Sequence, residues 1–297
     1  MELKHTAART GRLSSFLQNE MQMSNGLINK LKWGENIRVN GVPQRTNFAV
    51  QPGDVITVAM EEETPEYPAQ DGPLDILYED EYLLAVDKPA GMLIHPSRSK
   101  NDGTLANYVC GYYARTGQHS AFHPMTRLDR DTFGIVLLAK NPHVHTLLQQ
   151  TKVNKTYHAL TLGGPAENRG IIDAPIARRP LPSLLRFISP EGKPSVTEFS
   201  VLWRKEGVCK LALHPITGRT HQLRLHCLHM GFPILGDPQY NTERSLEASR
   251  QLGLTSQLLC AKRLEFAHPI TGQSMELESN MDALSDKLSF KSLYSSS

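Results

Sequence analysis

Between His123 and Ala139 the chain passes from a dense alternation of charge straight into an unbroken apolar run. Residues 123 to 134 read His-Pro-Met-Thr-Arg-Leu-Asp-Arg-Asp-Thr-Phe-Gly, and Ile135 to Ala139 follow without a polar side chain. The charged segment is too irregular for a helix and too polar for a core, so Arg127, Asp129, Arg130 and Asp131 must face water or pair with one another. The apolar run has the length of a buried strand. A charged loop held by a rigid strand is where catalytic and binding side chains tend to sit.

Other short runs repeat this strand-like pattern. Tyr82 to Val86 ends in Asp87-Lys88-Pro89-Ala90-Gly91, whose proline and glycine demand a turn. Tyr157 to Leu162 and Val208 to Leu213 read as further strands. Helices interrupt them. Asn141-Pro142 is a helix start, cap followed by proline at the first helical position, and His221 to Met230 is a helix closed by Gly231. The expected fold class is therefore α+β, with a mixed, largely antiparallel sheet.

The chain has 297 residues, 39% of them hydrophobic, enough for a sizeable core and more than one domain. Residues 1–60 form the first expected unit. Leu13, Phe16, Leu17 and Met21, then Leu27, Ile28 and Leu31, recur at helical spacing and predict two short helices split near Ser24 to Gly26. Strands follow, at Ile37 to Val39 with an Asn40-Gly41 turn and at Val55 to Val58 after Pro52-Gly53-Asp54. Residues 61–74, acidic and proline-bearing, read as a linker, and 75–297 as the main domain.

Charge is distributed unevenly. The formal net charge is +2, yet residues 61 to 81 hold nine acidic side chains and no basic one. Residues 1 to 60 carry +3, which leaves +8 on the remaining 216. A basic body suits an anionic partner, nucleic acid first, although an ordinary solvated surface accounts for the charge equally well. Cys110, Cys209, Cys227 and Cys260 form no Cys-x-x-Cys pair, so buried reduced thiols are expected. No apolar run approaches bilayer length and the first residues hold no signal-peptide stretch, which predicts a soluble, cytoplasmic protein.

Two resemblances sharpen this picture. Arg12-Leu13-Ser14-Ser15, Val39-Asn40-Gly41 and Pro52-Gly53-Asp54, in a helix, helix, strand, turn, strand order, resemble the small S-four-like RNA-binding module of a ribosomal small-subunit protein. Lys30, Lys32 and Arg38 would then line a phosphate-contacting face, with a solvated helix face as the competing reading. Further on come Arg127-Leu128-Asp129-Arg130-Asp131-Thr132, Lys155-Thr156-Tyr157, Thr217-Gly218-Arg219-Thr220-His221-Gln222-Leu223-Arg224 and Gly236-Asp237. With Asp87-Lys88-Pro89-Ala90-Gly91 and Phe266-Ala267-His268-Pro269, they resemble, in order, the RluA-type pseudouridine synthases over residues 75 to 280.

That resemblance implies an enzyme that detaches uracil from ribose, turns it and rejoins it through carbon, using no metal or cofactor. RNA is the implied partner, ribosomal RNA favoured over transfer RNA by the S-four-like module; no protein partner is implied. Asp129 takes the position of the catalytic aspartate, as nucleophile or base, with Arg224 as the arginine that favours its ionised form. Tyr157 would pack against the target base, and Arg127 would fill the space a flipped nucleotide leaves. Lys155 and Arg219 join them as substrate-binding residues. Simple ion pairing of Arg127 with Asp129 or Asp131 is the competing account.

Thr126 stands where these enzymes usually have histidine, with His123 three residues earlier, and Phe133 replaces a small hydroxyl residue. Both changes raise the question of substrate preference. An RNA-binding protein of the same fold without catalysis is the alternative function. A metal hydrolase built on His214, His221, His226 and His229 is disfavoured, because 221 and 229 flank opposite sides of 226 on a helix and no His-Glu-x-x-His motif is present.

Overall fold

A computed structural model describes residues 2–60, 63, 65–97, 100–180, 183 and 185–281. Glu61, Glu62 and Thr64 of the expected linker, and residues 282–297 of the expected main domain, lie outside the described residues.

Near the N-terminus, Ser24 caps the helix Asn25–Leu31 by accepting the Leu27 N–H at 3.2 Å. The preceding helical stretch departs from expectation: Leu13–Ser15 is a single α-turn that continues as a π-turn over Phe16–Glu20. Asn40 and Gly41 both take positive φ, 52° and 81°, as a two-residue hairpin loop requires. An unforeseen strand, Glu2–Thr6, pairs with Val55–Ala59 and completes a four-stranded sheet with Ile37–Val39 and Val42–Pro43. Its five residues carry one buried side chain, Leu3, too little periodicity to announce a strand. Leu13, Phe16, Leu17, Leu31 and Ile37 fill the core of this unit, and Tyr82 and Ile270 pack against it.

The rest of the chain is organised by a ten-stranded sheet. Eight strands run in the order Arg169–Asp173, Val196–Lys205, Val208–Pro215, Asn154–Leu162, Leu259–Ala267, Phe133–Ala139, Leu83–Lys88 and Asp75–Glu79. His123–Pro124 and Ser274–Glu278 add short pairings. All these neighbours are antiparallel except Phe133–Ala139 against Leu259–Ala267. At that parallel seam Gly134 sits at φ 107°, and a Cβ there would lie 2.4 Å from the Ala261 carbonyl oxygen, so only glycine lets the two backbones meet.

Phe133–Ala139 is buried on both faces, which explains its unbroken apolar sequence. Val136 and Leu138 pack with Leu105, Val109 and Tyr113 of the helix Leu105–Arg115. Ile135 and Leu137 point the other way, to Val144 and Leu148 of the helix Pro142–Gln150. That helix begins as expected, with Asn141 Oδ1 accepting the Val144 N–H and Pro142 next. A third helix, Gln222–His229, sets Leu223 and Cys227 against Leu211 and Leu213. The result is an α+β fold, and all four cysteines are free and buried. No helix among the described residues is long and apolar enough to cross a membrane.

Candidate active site

The loop between His123 and Gly134 is held from beneath. Lys88, fully buried, donates from Nζ to the carbonyls of Pro89, Met92 and Arg130, each at 2.9 Å, and so ties the Asp87-to-Gly91 turn to the charged loop. Three acceptors use all three ammonium hydrogens. Burial pushes this lysine down to about 8, against the pull of Asp131 and Asp129. Thr126 points inward, where its Oγ1 accepts the Leu137 N–H at 3.1 Å, and Phe133 joins the buried apolar residues. The two departures from the family pattern therefore support the loop from inside rather than face a substrate. His123 lies away from the loop's tip and meets Glu63 at 2.7 Å.

Charges at the tip are sorted by partner. Arg130 donates from Nε and Nη2 to the two oxygens of Asp131, at 2.9 and 2.8 Å. Asp129 turns away from them. Its Oδ2 accepts Arg224 Nη1 at 2.9 Å, across 95 residues of sequence. Arg224 is almost wholly enclosed, its side chain 5% exposed, and its other donors are also engaged: Nε and Nη2 donate to the two oxygens of Asp237 at 2.7 and 2.8 Å, and Nη2 to Gln239 at 3.0 Å. The Asp237 side chain is fully buried, whereas Asp129 is 29% exposed. Burial works against the charge on Arg224, but Asp237 first and Asp129 second raise it above the ordinary arginine value, so the guanidinium stays charged.

Asp129 and Arg224 open onto a cavity of about 490 Å³ that Arg127, Lys155, Tyr157, Arg219 and His221 also line. That volume suits one small ligand or nucleoside. Tyr157 stands at a break in register between Asn154–Leu162 and Leu259–Ala267, where the pairing skips Lys262. Such a bulge re-aims a side chain. Its side chain packs against two hydrophobic clusters and also lines the cavity. Burial, with the charge of Asp129 adding, raises its phenol and keeps it protonated. Lys155, half-buried, is lowered by burial. Arg219 is fastened at Nε to the Pro194 carbonyl, while Gln222 Oε1 accepts from the Arg219 N–H and the Thr217 hydroxyl. Arg127 is exposed and, among the described residues, pairs with neither Asp129 nor Asp131; the ion-pair account of it finds no support.

Lys30, Lys32 and Arg38 are not gathered at this cavity. They lie on Asn25–Leu31, the turn after it and Ile37–Val39. Lys32 reaches Asn29 Oδ1 at 2.8 Å and sits over the ring of the exposed Trp33, and Arg38 Nε donates to the Glu35 carbonyl. His226, by contrast, is enclosed, with one ring nitrogen on Thr197 Oγ1 at 2.9 Å and the other on the Ala174 carbonyl at 3.0 Å. Among the described residues no three His, Cys, Asp or Glu side chains are grouped to hold a metal.

Sequence reasoning missed Asp237, Gln239 and Lys88 as parts of the site. Asp237 was visible in the Gly236-Asp237 phrase. Nothing along the chain, however, marked it as the second partner of Arg224.

Residues 82–229 match the RNA pseudouridylate synthase family. The chain is 34% identical over 276 residues to an uncharacterized RNA pseudouridine synthase of Bacillus subtilis, covering 91% of this chain and 95% of that one. It is 35% identical over 255 residues to ribosomal large subunit pseudouridine synthase D of Pseudomonas aeruginosa, covering 82% and 79% respectively. Among solved structures it resembles human RNA pseudouridylate synthase domain containing 1, with a TM-score of 0.57, 27% identity and coverage of 71% and 85%.

Proposed function

The chain belongs to the RNA pseudouridine synthases, and we propose that Asp129 is the carboxylate that starts its isomerisation of uridine in structured RNA. One observation carries the reading: Asp129 is the partly exposed member of a buried carboxylate–guanidinium–carboxylate chain that ends in a cavity beside the Tyr157 ring. Asp237 neutralises the far side of Arg224, so Arg224 can hold Asp129 through one oxygen and leave the other, Oδ1, open toward the cavity. A single-point hold keeps the carboxylate oriented without closing both oxygens, as attack on sugar or base, or proton removal, requires.

The other residues take supporting parts. Tyr157, kept protonated, offers a ring face against which an extruded uracil stacks. Arg127 is charged, exposed and unpaired by the loop's aspartates, so its guanidinium is available to enter the space the flipped nucleotide leaves. Lys155 and Arg219 bracket the cavity with positive charge for the phosphates. Residues 1–60, S-four-like in sequence order, hold RNA outside the cavity through Lys30, Lys32 and Arg38, and act as a domain joined by the acidic segment 61–74 to the catalytic residues 75–297.

Ribosomal RNA is the favoured substrate over transfer RNA, because several similar proteins are named for the large ribosomal subunit and the N-terminal unit resembles a ribosomal protein module. A cytoplasmic setting follows from such a substrate. The test is tritium release from uridine-labelled ribosomal and transfer RNA pools by the purified protein. Release from ribosomal RNA, abolished by Asp129→Asn, is expected. If neither pool reacts, an RNA-binding role without catalysis replaces this reading.

A further inference from the structure

His221 has no part in the chemistry so far, yet its placement is unusual. It precedes the helix Gln222–His229 with φ 59° and ψ 18°, the left-handed region, and makes no side-chain cap to that helix. Its ring instead turns into the cavity. Nδ1 lies 2.9 Å from the hydroxyl of Tyr240, a residue buried to 3% exposure. That hydroxyl also accepts the Arg186 backbone N–H at 2.9 Å and keeps its own hydrogen to donate. With Tyr240 donating to Nδ1, the proton of a neutral ring is on Nε2, which lies 3.9 Å from Oδ1 of Asp129, the oxygen that Arg224 does not hold.

We infer that His221 is a positioning residue for Asp129: Tyr240 fixes its tautomer so that the Nε2–H faces Oδ1 and, as the site tightens on RNA, orients the reacting oxygen. This rests on the reading of Asp129 given above. Rotation of the Asp129 side chain, the more exposed of the two at 29% against 15%, closes the gap to a hydrogen bond. Tyr240 serves both groups on Asp129, since the Arg224 guanidinium lies 5.0 Å from the centre of its ring.

The groups facing His221 are Asp129 on the charged loop, Arg224 on its own helix, Arg186 on the strand Arg186–Ile188, and Asp237 and Tyr240 on the turn beyond the helix. Burial lowers the imidazole below its ordinary value. Asp129 and Asp237 oppose that, and Arg224 and Arg186 reinforce it. The ring is therefore neutral at pH 7. Acid adds a proton at Nδ1, and the resulting imidazolium draws Oδ1 into a full ion pair that occupies the electron pair needed for reaction.

Single-turnover tritium release and RNA affinity, measured across pH, test this on the full-length protein. His221→Leu should slow the reaction about tenfold, the worth of one well-placed hydrogen bond, with RNA affinity unchanged within twofold. His221→Gln suffers the same left-handed strain as Leu but keeps an amide N–H at the Nε2 position. It should recover most of the rate and move the acid limb of the rate profile to lower pH. Tyr240→Phe, which keeps the ring under Arg224 and loses only the hydroxyl, should slow the reaction without weakening RNA binding. A Leu variant as fast as wild type, or a Gln variant as slow as Leu with an unmoved acid limb, overturns the role of His221. An active Asp129→Asn protein would instead overturn the reading of Asp129 itself.

Discussion

Two aspartates share one guanidinium, and the structure assigns them opposite phenotypes. Asp237 is fully buried and accepts four hydrogen bonds, two from Arg224 and one each from the backbone N–H groups of Gln239 and Tyr240, at 2.7 to 3.0 Å. Asp237→Asn keeps the shape but leaves the enclosed Arg224 charge with Asp129 as its one carboxylate partner. Removing one member of a buried pair costs about 3–5 kcal/mol. For a protein of this size each kcal/mol lowers Tm by roughly 2–4 °C, so a fall of about 6–20 °C is expected. Asp129 loses far less. It makes one hydrogen bond to Arg224, is 29% exposed, and leaves Arg224 still neutralised by Asp237. Asp129→Asn should cost about 1 kcal/mol or less, a Tm change of a few degrees at most, while abolishing tritium release. Calorimetry or fluorescence-detected melting of both variants, alongside the release assay, separates the two. Equal destabilisation by both, or an Asp237→Asn protein melting within about 2 °C of wild type, would refute the division of labour along this chain of charges.

Three further outcomes are expected. Arg127→Lys keeps the charge but not the flat stacking surface, so turnover on a uridine within a stem should fall by about ten- to a hundredfold, and less on an unpaired uridine; equal rates on both for the variant and wild type would remove Arg127 from base extrusion. Lys30→Glu with Lys32→Glu should weaken RNA binding and flatten the log affinity against log salt plot by roughly one unit per lost phosphate contact, with the rate at saturating RNA retained; an unchanged slope places RNA elsewhere. Lys88 titrates near 8 when folded and near 10.4 when unfolded, so above pH 8 the unfolded chain binds more protons and stability gains from this group as pH rises. Urea unfolding of wild type should show a gain of about 3 kcal/mol between pH 8 and 10.5 that Lys88→Met lacks; parallel profiles would contradict it.

Much of the site was legible because its side chains are chemically conspicuous. Four charges in five residues before an apolar strand marked the loop, and the strand's unbroken hydrophobicity reported burial on both faces, which the helices Leu105–Arg115 and Pro142–Gln150 supply. Local rules also held where the signal is local: the Asn40-Gly41 hairpin and the Asn141-Pro142 helix start. They failed for Glu2–Thr6, whose extended form comes from pairing with Val55–Ala59, some fifty residues away, rather than from its own pattern.

By itself, then, the chain's sequence determined that a charged loop leads into the core and that the long apolar runs are strands, since both follow from the cost of burying or exposing particular side chains. Only the tertiary structure decided how those charges were shared. Asp129, Arg130 and Asp131 are near neighbours in sequence, but Arg130 takes Asp131, and Asp129 is given to Arg224 across 95 residues. Arg224 meets Asp237 because the helix and the turn after it fold back onto the sheet. His221, left-handed at the start of its helix, comes to 3.9 Å from Oδ1 of Asp129 and within 2.9 Å of the hydroxyl of a tyrosine nineteen positions away. Pairing in a buried site depends on distance and enclosure, and neither is expressed along the chain.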